Sequence, residues 1–316
     1  MSVLLVGSGN MSTEYLKVLN SLSVNTVVVG RSKKNVDKLA AKFPEYRFID
    51  GGLNAYLQKN SGTIPEMVIV AVNIAQLQDC AIQLLKAGVK KMLIEKPGAL
   101  NSEGLEAINK LSKEQGAQVY IAYNRRFYNS ISTLVSLAEK EGGIQSVHFE
   151  FTEWPHMIDT NFFSRPELER WILSNSTHVI DTVFHLIGKP STLYTHVSKD
   201  KGVEWHPSGA IFAGMGISDR KIPFTYHSNW ESAGRWAIEV MTNHNRYYLK
   251  PMEKLAVQKK GTIALEEYQL QGEEDVNYKP GLYQMIQAFV SGKKTVLCSL
   301  AEHIQHFNNY KTIAGY

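Results

Sequence analysis

The sequence predicts an α/β protein of two domains: an N-terminal doubly wound parallel sheet, and a C-terminal α+β domain built on an open-faced, mostly antiparallel sheet. Up to residue 122, short apolar runs alternate with helical patterns of ten or more residues, and a glycine-rich loop follows the first run. From residue 123 the runs instead alternate between apolar and polar residues. The first rhythm is typical of βαβ units, and the second of antiparallel strands with one exposed face. We therefore predict domains of residues 1–122 and 123–316.

The N-terminal elements follow in regular order. The predicted strands are VLLVG, TVVVG, MVIVAV, KMLIE and QVYIAY, at residues 3–7, 26–30, 67–72, 91–95 and 118–123. Apolar residues with helical spacing predict the intervening helices at 13–22, 34–43, 75–88 and 102–116. Crossovers of this length are typical of parallel strands.

The C-terminal half has a different pattern. A helix is predicted at 131–141, an alternating strand at 146–154 and another helix at 174–187. Strand-like runs then fill 192–270, and the closing stretch is helical. A sheet with one exposed face needs a ligand or partner to cover it, so we expect a homodimer or homotetramer formed through this sheet.

Composition excludes several classes of function. The net charge of +4 is too small to indicate a nucleic-acid partner. No run approaches the roughly 18 apolar residues of a membrane span, and the N-terminus lacks the basic region of a signal peptide. Cys80 and Cys298 are isolated, with no CxxC and no His/Cys cluster at metal-ligand spacing. We predict a cytoplasmic protein without a metal site or a membrane partner.

The loop after the first strand has the features of a dinucleotide-binding fingerprint. Gly7 permits a tight turn, and Gly9 lets a pyrophosphate approach the free N–H groups at the start of a helix. A plain βα turn is the alternative, which the position between a clear strand and a clear helix disfavours. The predicted cofactor contacts here are Gly7, Ser8, Gly9, Asn10 and Met11.

The end of the second predicted strand indicates which nucleotide is bound. An NAD-binding domain usually has an acidic residue here for the ribose 2′-hydroxyl, but this chain has Arg31 and Ser32 followed by two lysines. A 2′-phosphate needs cationic and hydroxyl donors, which both residues supply. A solvated loop arginine is the alternative. We predict that NADP(H) is preferred over NAD(H).

The stretch MLIEKPGAL places charge where an apolar strand ends. At the carboxyl end of a strand in a doubly wound sheet, residues face the ligand crevice, so Lys96 is expected beside the nicotinamide. Pro97 fixes the backbone, and a cis Lys96–Pro97 bond would hold the lysine in one direction. Glu95 and Lys96 join the predicted cofactor site.

These motifs, with others, resemble the glucose-fructose oxidoreductase, inositol 2-dehydrogenase and rhizopine-catabolism (Gfo/Idh/MocA) family of NAD(P)-dependent sugar oxidoreductases. The resemblance spans nearly the whole chain. It rests on GSGNMS, Asn73 in AVNIAQLQDCAIQLLKAG, the tripeptide Glu95-Lys96-Pro97, YNRRF at 123–127 and WILSNSTHVIDTVFHLIG. It implies that Asn73 contacts the cofactor, and it implies a Rossmann domain followed by an open-faced sheet.

The resemblance also implies that Lys96 and His178 are the catalytic acid/base pair. The family commonly has an aspartate four residues before this histidine, and here that residue is Ser174. Ser174, His178, Asp181 and His185 fall on one helical stripe, so Asp181 is a candidate to orient an imidazole. A hydrogen-bonded pair between helix and sheet is the favoured interpretation of Asp181 and His185. Metal ligation by this stripe is disfavoured, since no fourth ligand is visible.

Substrate contacts are predicted on the second domain. A carbohydrate needs an aromatic plane and bidentate polar groups, and an acidic sugar needs arginine. The candidates are Arg126, Trp154, Arg165 and Asn175. For Arg126, a structural salt bridge between the domains is an equal alternative.

The sequence thus favours an NADP(H)-dependent enzyme that transfers a hydride between the nicotinamide and a carbinol or ketone of a sugar, cyclitol or sugar-derived acid. The alternative is a non-catalytic sensor of the same fold, which Ser174 favours and the retention of Lys96 and His178 disfavours. An enzyme that recycles its hydride within one active site is a third possibility.

Overall fold

A computed structural model describes residues 2–60, 63–200, 202–292 and 296–316. Their contacts form two compact units, Met1–Asn124 with Val276–Ile304 and Arg125–Asp275 with Gln305–Tyr316. The predicted domain division differs from these units, because a C-terminal segment returns to the first unit. The cause is a short strand at Cys298–Ser299 that pairs with the strand at Gln118–Ile121.

The strands are numbered along the chain. They are β1 (Ser2–Val6), β2 (Asn25–Val29), β3 (Arg47–Ile49), β4 (Met67–Val70), β5 (Lys91–Ile94), β6 (Gln118–Ile121), β7 (Ser146–Glu150), β8 (Pro190–Ser198), β9 (Ile211–Ser218), β10 (Pro223–Asn229), β11 (Ala237–Met241), β12 (Asn245–Leu249), β13 (Ala256–Lys259), β14 (Glu266–Glu267) and β15 (Cys298–Ser299).

The α-helices are numbered in the same way. They are α1 (Asn10–Ser21), α2 (Lys33–Ala40), α3 (Gly52–Lys59), α4 (Ile74–Lys86), α5 (Ser102–Glu114), α6 (Asn129–Lys140), α7 (Arg165–Glu169), α8 (Thr177–Ile187), α9 (Glu274–Asn277), α10 (Leu282–Ser291) and α11 (Leu300–Ala314). Short 3₁₀ helices occupy Asn124–Phe127 and Pro155–Met157, and a π-helical turn occupies Ile172–Ser176.

The first unit is the predicted doubly wound sheet. Its strand order is β15-β6-β5-β4-β1-β2-β3, with β1 to β6 parallel and β15 antiparallel to β6. The central strands are buried throughout their middle residues because helices cover both faces of a parallel sheet. The order reverses between β1 and β4, which is where sheets of this class open a ligand crevice at the carboxyl ends of the strands.

The second unit is the predicted open-faced sheet. Its order is β14-β13-β12-β11-β7-β10-β9-β8, and every pair is antiparallel except β7 with β10. Along β10, buried and exposed residues alternate strictly. The buried α8 packs against the inner face through contacts with β7 and β11. Among the described helices, none is both long enough and apolar enough to span a membrane.

Candidate functional site

The glycine-rich loop joins β1 to α1. Gly7 has φ +131°, and a Cβ placed on it would lie 2.1 Å from the Ala71 carbonyl oxygen, so only glycine fits. The Gly7 N–H donates to the Val29 carbonyl (2.8 Å), which holds the start of the loop against the end of β2. A Cβ on Gly9 would meet no atom within 4 Å, so the backbone there borders open space. The loop therefore gives a ligand close access to the start of α1.

The first turn of α1 has the chemistry of an anion site. Gly9 is its N-cap, no side chain caps the turn, and the turn contains no acidic residue. The first amides of a helix lack intrahelical acceptors, and the helix dipole adds positive potential there. Ser12 stands where the GxGxxG fingerprint has its third glycine. It is fully buried and lies against Gly7. A pyrophosphate fits this turn on grounds of charge and space.

A cavity of about 260 Å³ opens beside the loop in the first unit. Arg31 lines it, and Gly51 and Gly52, which follow β3, form part of its wall. A Cβ on Gly52 would lie 3.8 Å from the Arg31 Cβ, an ordinary van der Waals distance, so Arg31 packs beside Gly52. Ser32 caps α2, its hydroxyl accepting from the Asn35 N–H (3.5 Å). Both predicted 2′-phosphate residues thus lie at the carboxyl end of β2.

The sequence did not predict the contribution of α4 to this cavity. Asn73 is the N-cap of α4 and is exposed just beyond β4, while the helix supplies Gln76, Asp79, Cys80 and Gln83 to the lining. Burial and the neighbouring Asp79 raise the pKa of the Cys80 thiol to about 11, so Cys80 is a protonated thiol at neutral pH. The helical spacing of these four residues was the available signal.

The Glu95-Lys96-Pro97 segment follows β5 and is held on several sides. The Glu95 N–H donates to the Val70 carbonyl (3.0 Å), and the fully buried Tyr15 donates its hydroxyl to Glu95 Oε1 (2.7 Å). Burial raises the pKa of Glu95, opposed by the Tyr15 hydrogen bond and by Lys96. The Lys96–Pro97 bond is cis, as the sequence suggested.

A histidine that the sequence did not single out also holds this segment. The buried His303, on α11, places Nε2 3.0 Å from the Pro97 carbonyl oxygen, and its ring lies beside Tyr123. Because the carbonyl can only accept, Nε2 is the donor in this contact. The loop that carries Lys96 is therefore fixed from α1, β4 and α11.

In the second unit, His178 lies in the first turn of α8. It is 7% exposed, and its ring centroid is 6.1 Å from that of Trp236, which precedes β11. The predicted helix start at 174 is shifted, because residues 172–176 form the π-helical turn and α8 begins at Thr177. Such turns are rare and occur frequently at functional sites.

The π-helical turn is fastened to a buried carboxylate, Glu153. Its Oε1 accepts from the Ser176 hydroxyl (2.6 Å) and from the Asn175 amide (3.0 Å). Burial raises the pKa of Glu153, and the hydrogen bond from Ser176 and the charge of Arg235 oppose that shift. Ser174, which replaces the family aspartate, donates to the Glu167 carbonyl (3.1 Å). Asn175 thus bonds to Glu153 within the protein.

Arg126 forms a buried ion pair with Asp181. Its Nε and Nη2 donate to the two carboxylate oxygens at 2.7 and 2.6 Å, and the side chains are 1% and 0% exposed. Tyr310 donates a third hydrogen bond to Asp181 (3.1 Å). The structure thus shows Arg126 in an internal ion pair with Asp181. It lies within one unit, unlike the interdomain salt bridge considered as the alternative.

The other predicted residues of the stripe and the substrate site are in different surroundings. Burial, with the positive charge of Arg126, lowers the pKa of His185 to about 3, so this histidine is neutral in the fold. Arg165 is 65% exposed and pairs with Glu169 on the same helix (2.6 Å). Trp154 is partly exposed, and its indole N–H donates to the Gly234 carbonyl (2.7 Å). Two of the predicted substrate residues are thus associated with Glu153. Trp154 follows it in the chain, and Asn175 donates a hydrogen bond to it.

Within the described part of the chain, no group of three or more His, Cys, Asp or Glu side chains is arranged to hold a metal ion.

Comparisons with known proteins give a consistent picture. Residues 1–123 match the sequence model of the Gfo/Idh/MocA family, described as an oxidoreductase family with an NAD-binding Rossmann fold. The scyllo-inositol 2-dehydrogenase (NADP⁺) IolW of Bacillus subtilis (strain 168) is 26% identical over 143 residues. That match covers 42% of this chain and 37% of the relative, so it spans little more than a third of IolW.

Solved structures show the same fold across the chain. An oxidoreductase from Agrobacterium radiobacter, in complex with NAD⁺, L-tartaric acid and magnesium, is 13% identical with a TM-score of 0.79, covering 98% of this chain and 94% of its own. The UDP-N-acetylglucosamine 3-dehydrogenase GnnA from Acidithiobacillus ferrooxidans is 14% identical with a TM-score of 0.74, covering 99% and 96%. A levoglucosan dehydrogenase with NADH and L-sorbose is 16% identical with a TM-score of 0.77, covering 100% and 96%.

Proposed function

We propose that this protein is an NADP(H)-dependent oxidoreductase, because residues 1–123 match the sequence model of the Gfo/Idh/MocA family of oxidoreductases with an NAD-binding Rossmann fold. It transfers a hydride between the nicotinamide and a carbinol or ketone of a sugar, cyclitol or sugar-derived acid. The compared proteins include an inositol dehydrogenase and a levoglucosan dehydrogenase, which supports a carbohydrate-like substrate.

The observation that carries the proposal is the position of Lys96. It leaves the carboxyl end of β5, in the sheet whose glycine-rich loop fits a dinucleotide, and its neighbours Glu95 and Pro97 are both fixed by hydrogen bonds. Three elements, α1, β4 and α11, therefore hold the segment that carries Lys96. A lysine whose backbone is held between two fixed neighbours at this edge of the sheet is suited to act on a bound ligand.

The residues of the first unit fit a nicotinamide dinucleotide, which when bound supplies the hydride acceptor or donor. Gly9 and the first amides of α1 would hold the pyrophosphate, and Asn73 and Glu95 lie at the ends of the neighbouring strands. Arg31 and Ser32 would hold a 2′-phosphate at the cavity beside β2. We propose NADP(H) as the preferred cofactor for this reason; IolW is itself named as an NADP⁺ enzyme.

We assign the proton chemistry to Lys96 and His178. In the oxidative direction His178 takes the proton of the substrate hydroxyl, and in the reductive direction it returns that proton to the oxygen. The Lys96 ammonium is assigned as the hydrogen-bond donor that stabilises the negative charge developing on the substrate. The buried Glu153 holds the π-helical turn that directly precedes α8, and His178 lies in the first turn of α8.

The test follows the nicotinamide absorbance with NADP⁺ and NADPH across sugars, cyclitols, sugar acids and their keto forms. Wild type is compared with Lys96→Met and with the control Lys86→Met, an exposed lysine at the end of α4. We expect turnover by wild type and by the control, and loss of turnover by Lys96→Met. Tight NADPH binding without turnover by any variant would instead support the sensor, with Ser174 as the mark of lost catalysis.

We also propose self-association and a cytoplasmic location. The outer face of the second sheet exposes Tyr194, Met215 and Ile217, and these three strand residues lie next to one another in the register of β8 and β9. Contiguous apolar residues on an open sheet are suited to bury against a second copy. The location is inferred from the two isolated cysteines.

A further inference from the structure

The second unit contains a group of aromatic and charged side chains, and the function proposed above gives no role to the two arginines of that group. We call it the Arg235 cluster, and it consists of Glu153, Trp154, Arg235, Trp236 and Arg125. The Arg235 guanidinium lies over two indole rings, 4.7 Å from the centroid of Trp154 and 5.0 Å from that of Trp236. Stacking of this kind fixes a guanidinium while leaving its N–H edge for hydrogen bonds.

Arg235 is accessible and only weakly paired. Its side chain is 43% exposed, and within the described residues its one side-chain hydrogen bond is to Glu153 Oε2 at 3.4 Å. This is long for a charge-assisted hydrogen bond, which is usually near 2.8 Å. The stronger contacts of Glu153 are to Ser176 and Asn175 through its other oxygen. Arg235 therefore keeps most of its five donors for a ligand.

A second cation adds positive charge at the same place. The Arg125 guanidinium lies 4.6 Å from the centroid of Trp236, and burial lowers its pKa. The charges of Glu253 and Glu153 oppose that shift, but Glu253 is exposed and screened by solvent. The Arg235 cluster thus contains two guanidinium groups and one buried carboxylate.

The cluster adjoins the proposed catalytic histidine within the same unit. The Trp236 ring is 6.1 Å from the ring of His178. Through Glu153, Arg235 is also linked to Ser176, two residues before His178. A ligand group on Arg235 would thus lie near the end of α8 where proton transfer is proposed.

From these contacts we propose that Arg235 is the subsite for a carboxylate of the substrate, so that the substrate class is an anionic sugar, such as a sugar acid, and not a neutral sugar or cyclitol. The inference rests on the proposed function and narrows it. The planar guanidinium fork matches a carboxylate in two parallel hydrogen bonds. The partly exposed Trp154 indole offers an apolar plane for the C–H face of a sugar ring.

The experiment compares acids with their neutral counterparts. Calorimetric titrations, with and without NADPH, use glucuronate against glucose and galacturonate against galactose, pairs that differ in one carboxylate. The proteins are wild type, Arg235→Met, Arg235→Lys and the control Arg246→Met. Arg246 is matched in exposure at 44%, pairs with Glu239 and lies over the Tyr248 ring of the same sheet.

We expect wild type to bind at least one acid roughly 10-fold or more tightly than its neutral counterpart, the gain typical of a charged hydrogen-bonded contact. Arg235→Met should lose that preference, and Arg246→Met should keep it. Arg235→Lys should give an intermediate preference, since it keeps the charge without the fork. Thermal unfolding of all four proteins checks that each is folded.

Equal binding of acids and neutral sugars, a preference that survives Arg235→Met, or no binding of either acid at millimolar concentration would overturn the subsite. The proposed function fails separately. Acid binding that depends on Arg235, without any NADP-dependent turnover, would support the subsite and contradict the proposed enzymatic function. Turnover of neutral sugars, without a preference for acids, would support the enzymatic function and contradict the subsite.

Discussion

At the scale of single residues, Arg31 decides the predicted cofactor preference. Replacing Arg31 by alanine removes the cation that lines the cavity beside β2. We expect the dissociation constant for NADPH to rise about 10-fold or more, and that for NADH to stay nearly unchanged, because only NADPH has a 2′-phosphate. Fluorescence titration with both nucleotides measures this. Arg47→Ala, an exposed arginine on β3, is the matched control and should change neither constant.

A second residue prediction concerns the buried ion pair. Asp181→Asn leaves the Arg126 guanidinium charged and buried without its carboxylate, so we expect the free energy of unfolding to fall by about 3–5 kcal/mol. Urea denaturation measures the loss. Asp37→Asn breaks the exposed pair with Lys33 and should have almost no effect. Equal effects of the two substitutions would mean that the buried pair contributes no more to the free energy of unfolding than the exposed pair does.

Residue roles were predicted unevenly for a physical reason. Gly7, Arg31 and Lys96 are marked by their place at the end of a strand, which a local pattern reveals. Partners far apart in the chain carry no such mark. The pairing of Arg126 with Asp181 spans 55 residues, and that of Arg235 with Glu153 spans 82. His303 contacts Pro97 across 206 residues. Such contacts depend on the folded chain and cannot be derived from spacing.

At the scale of elements, the π-helical turn is held by a chain of three hydrogen-bonding groups. The Ile172 N–H donates to the Tyr316 hydroxyl (3.2 Å), which lies 2.7 Å from His206 Nε2, while His206 Nδ1 lies 2.8 Å from the Gly209 carbonyl oxygen. The carbonyl requires a donor at Nδ1, so the Tyr316 hydroxyl donates to Nε2 of a neutral ring. Burial lowers the pKa of His206 to about 4.

This arrangement predicts a pH dependence of stability. The unfolded histidine binds a proton below about pH 6.5 and the folded one only near pH 4, so stability is full above pH 6.5 and is lost as pH falls towards 4. The loss is at most about 1.4 kcal/mol for each pH unit. Urea denaturation over this range should show a shallower loss for His206→Gln. His196→Gln, an exposed histidine on β8, should follow the wild-type slope.

The elements themselves were largely predictable where their pattern is long. The parallel strands and the helices between them were predicted because burial on both faces gives continuous apolar runs. The β3 strand and the α3 helix were not predicted, since β3 has only three residues and α3 is less clearly amphipathic than α2. The π-helical turn was assigned to the predicted helix at 174–187, because one extra residue per turn does not change a short apolar pattern.

At the scale of the whole molecule, the open sheet makes oligomeric state the main prediction. If Tyr194 and Met215 lie in an interface between copies, Tyr194→Glu with Met215→Glu should bury charge there and yield monomers. Light scattering after gel filtration measures the mass of wild type and variant. Ile263→Glu, which changes a 95% exposed residue between β13 and β14, is the control and should leave the mass unchanged. A monomeric wild type at micromolar concentration would contradict the prediction.

The strand β15 bears on how the protein is made. Ribosomes release a chain from its N-terminus, and domains generally fold as they emerge. Here the first sheet ends in a strand at residues 298–299, so β6 keeps an unpaired edge until those residues have left the ribosome. Exposed strand edges template aggregation. A chain truncated before residue 298 should therefore depend on chaperones, whereas one that includes β15 should resist proteolysis.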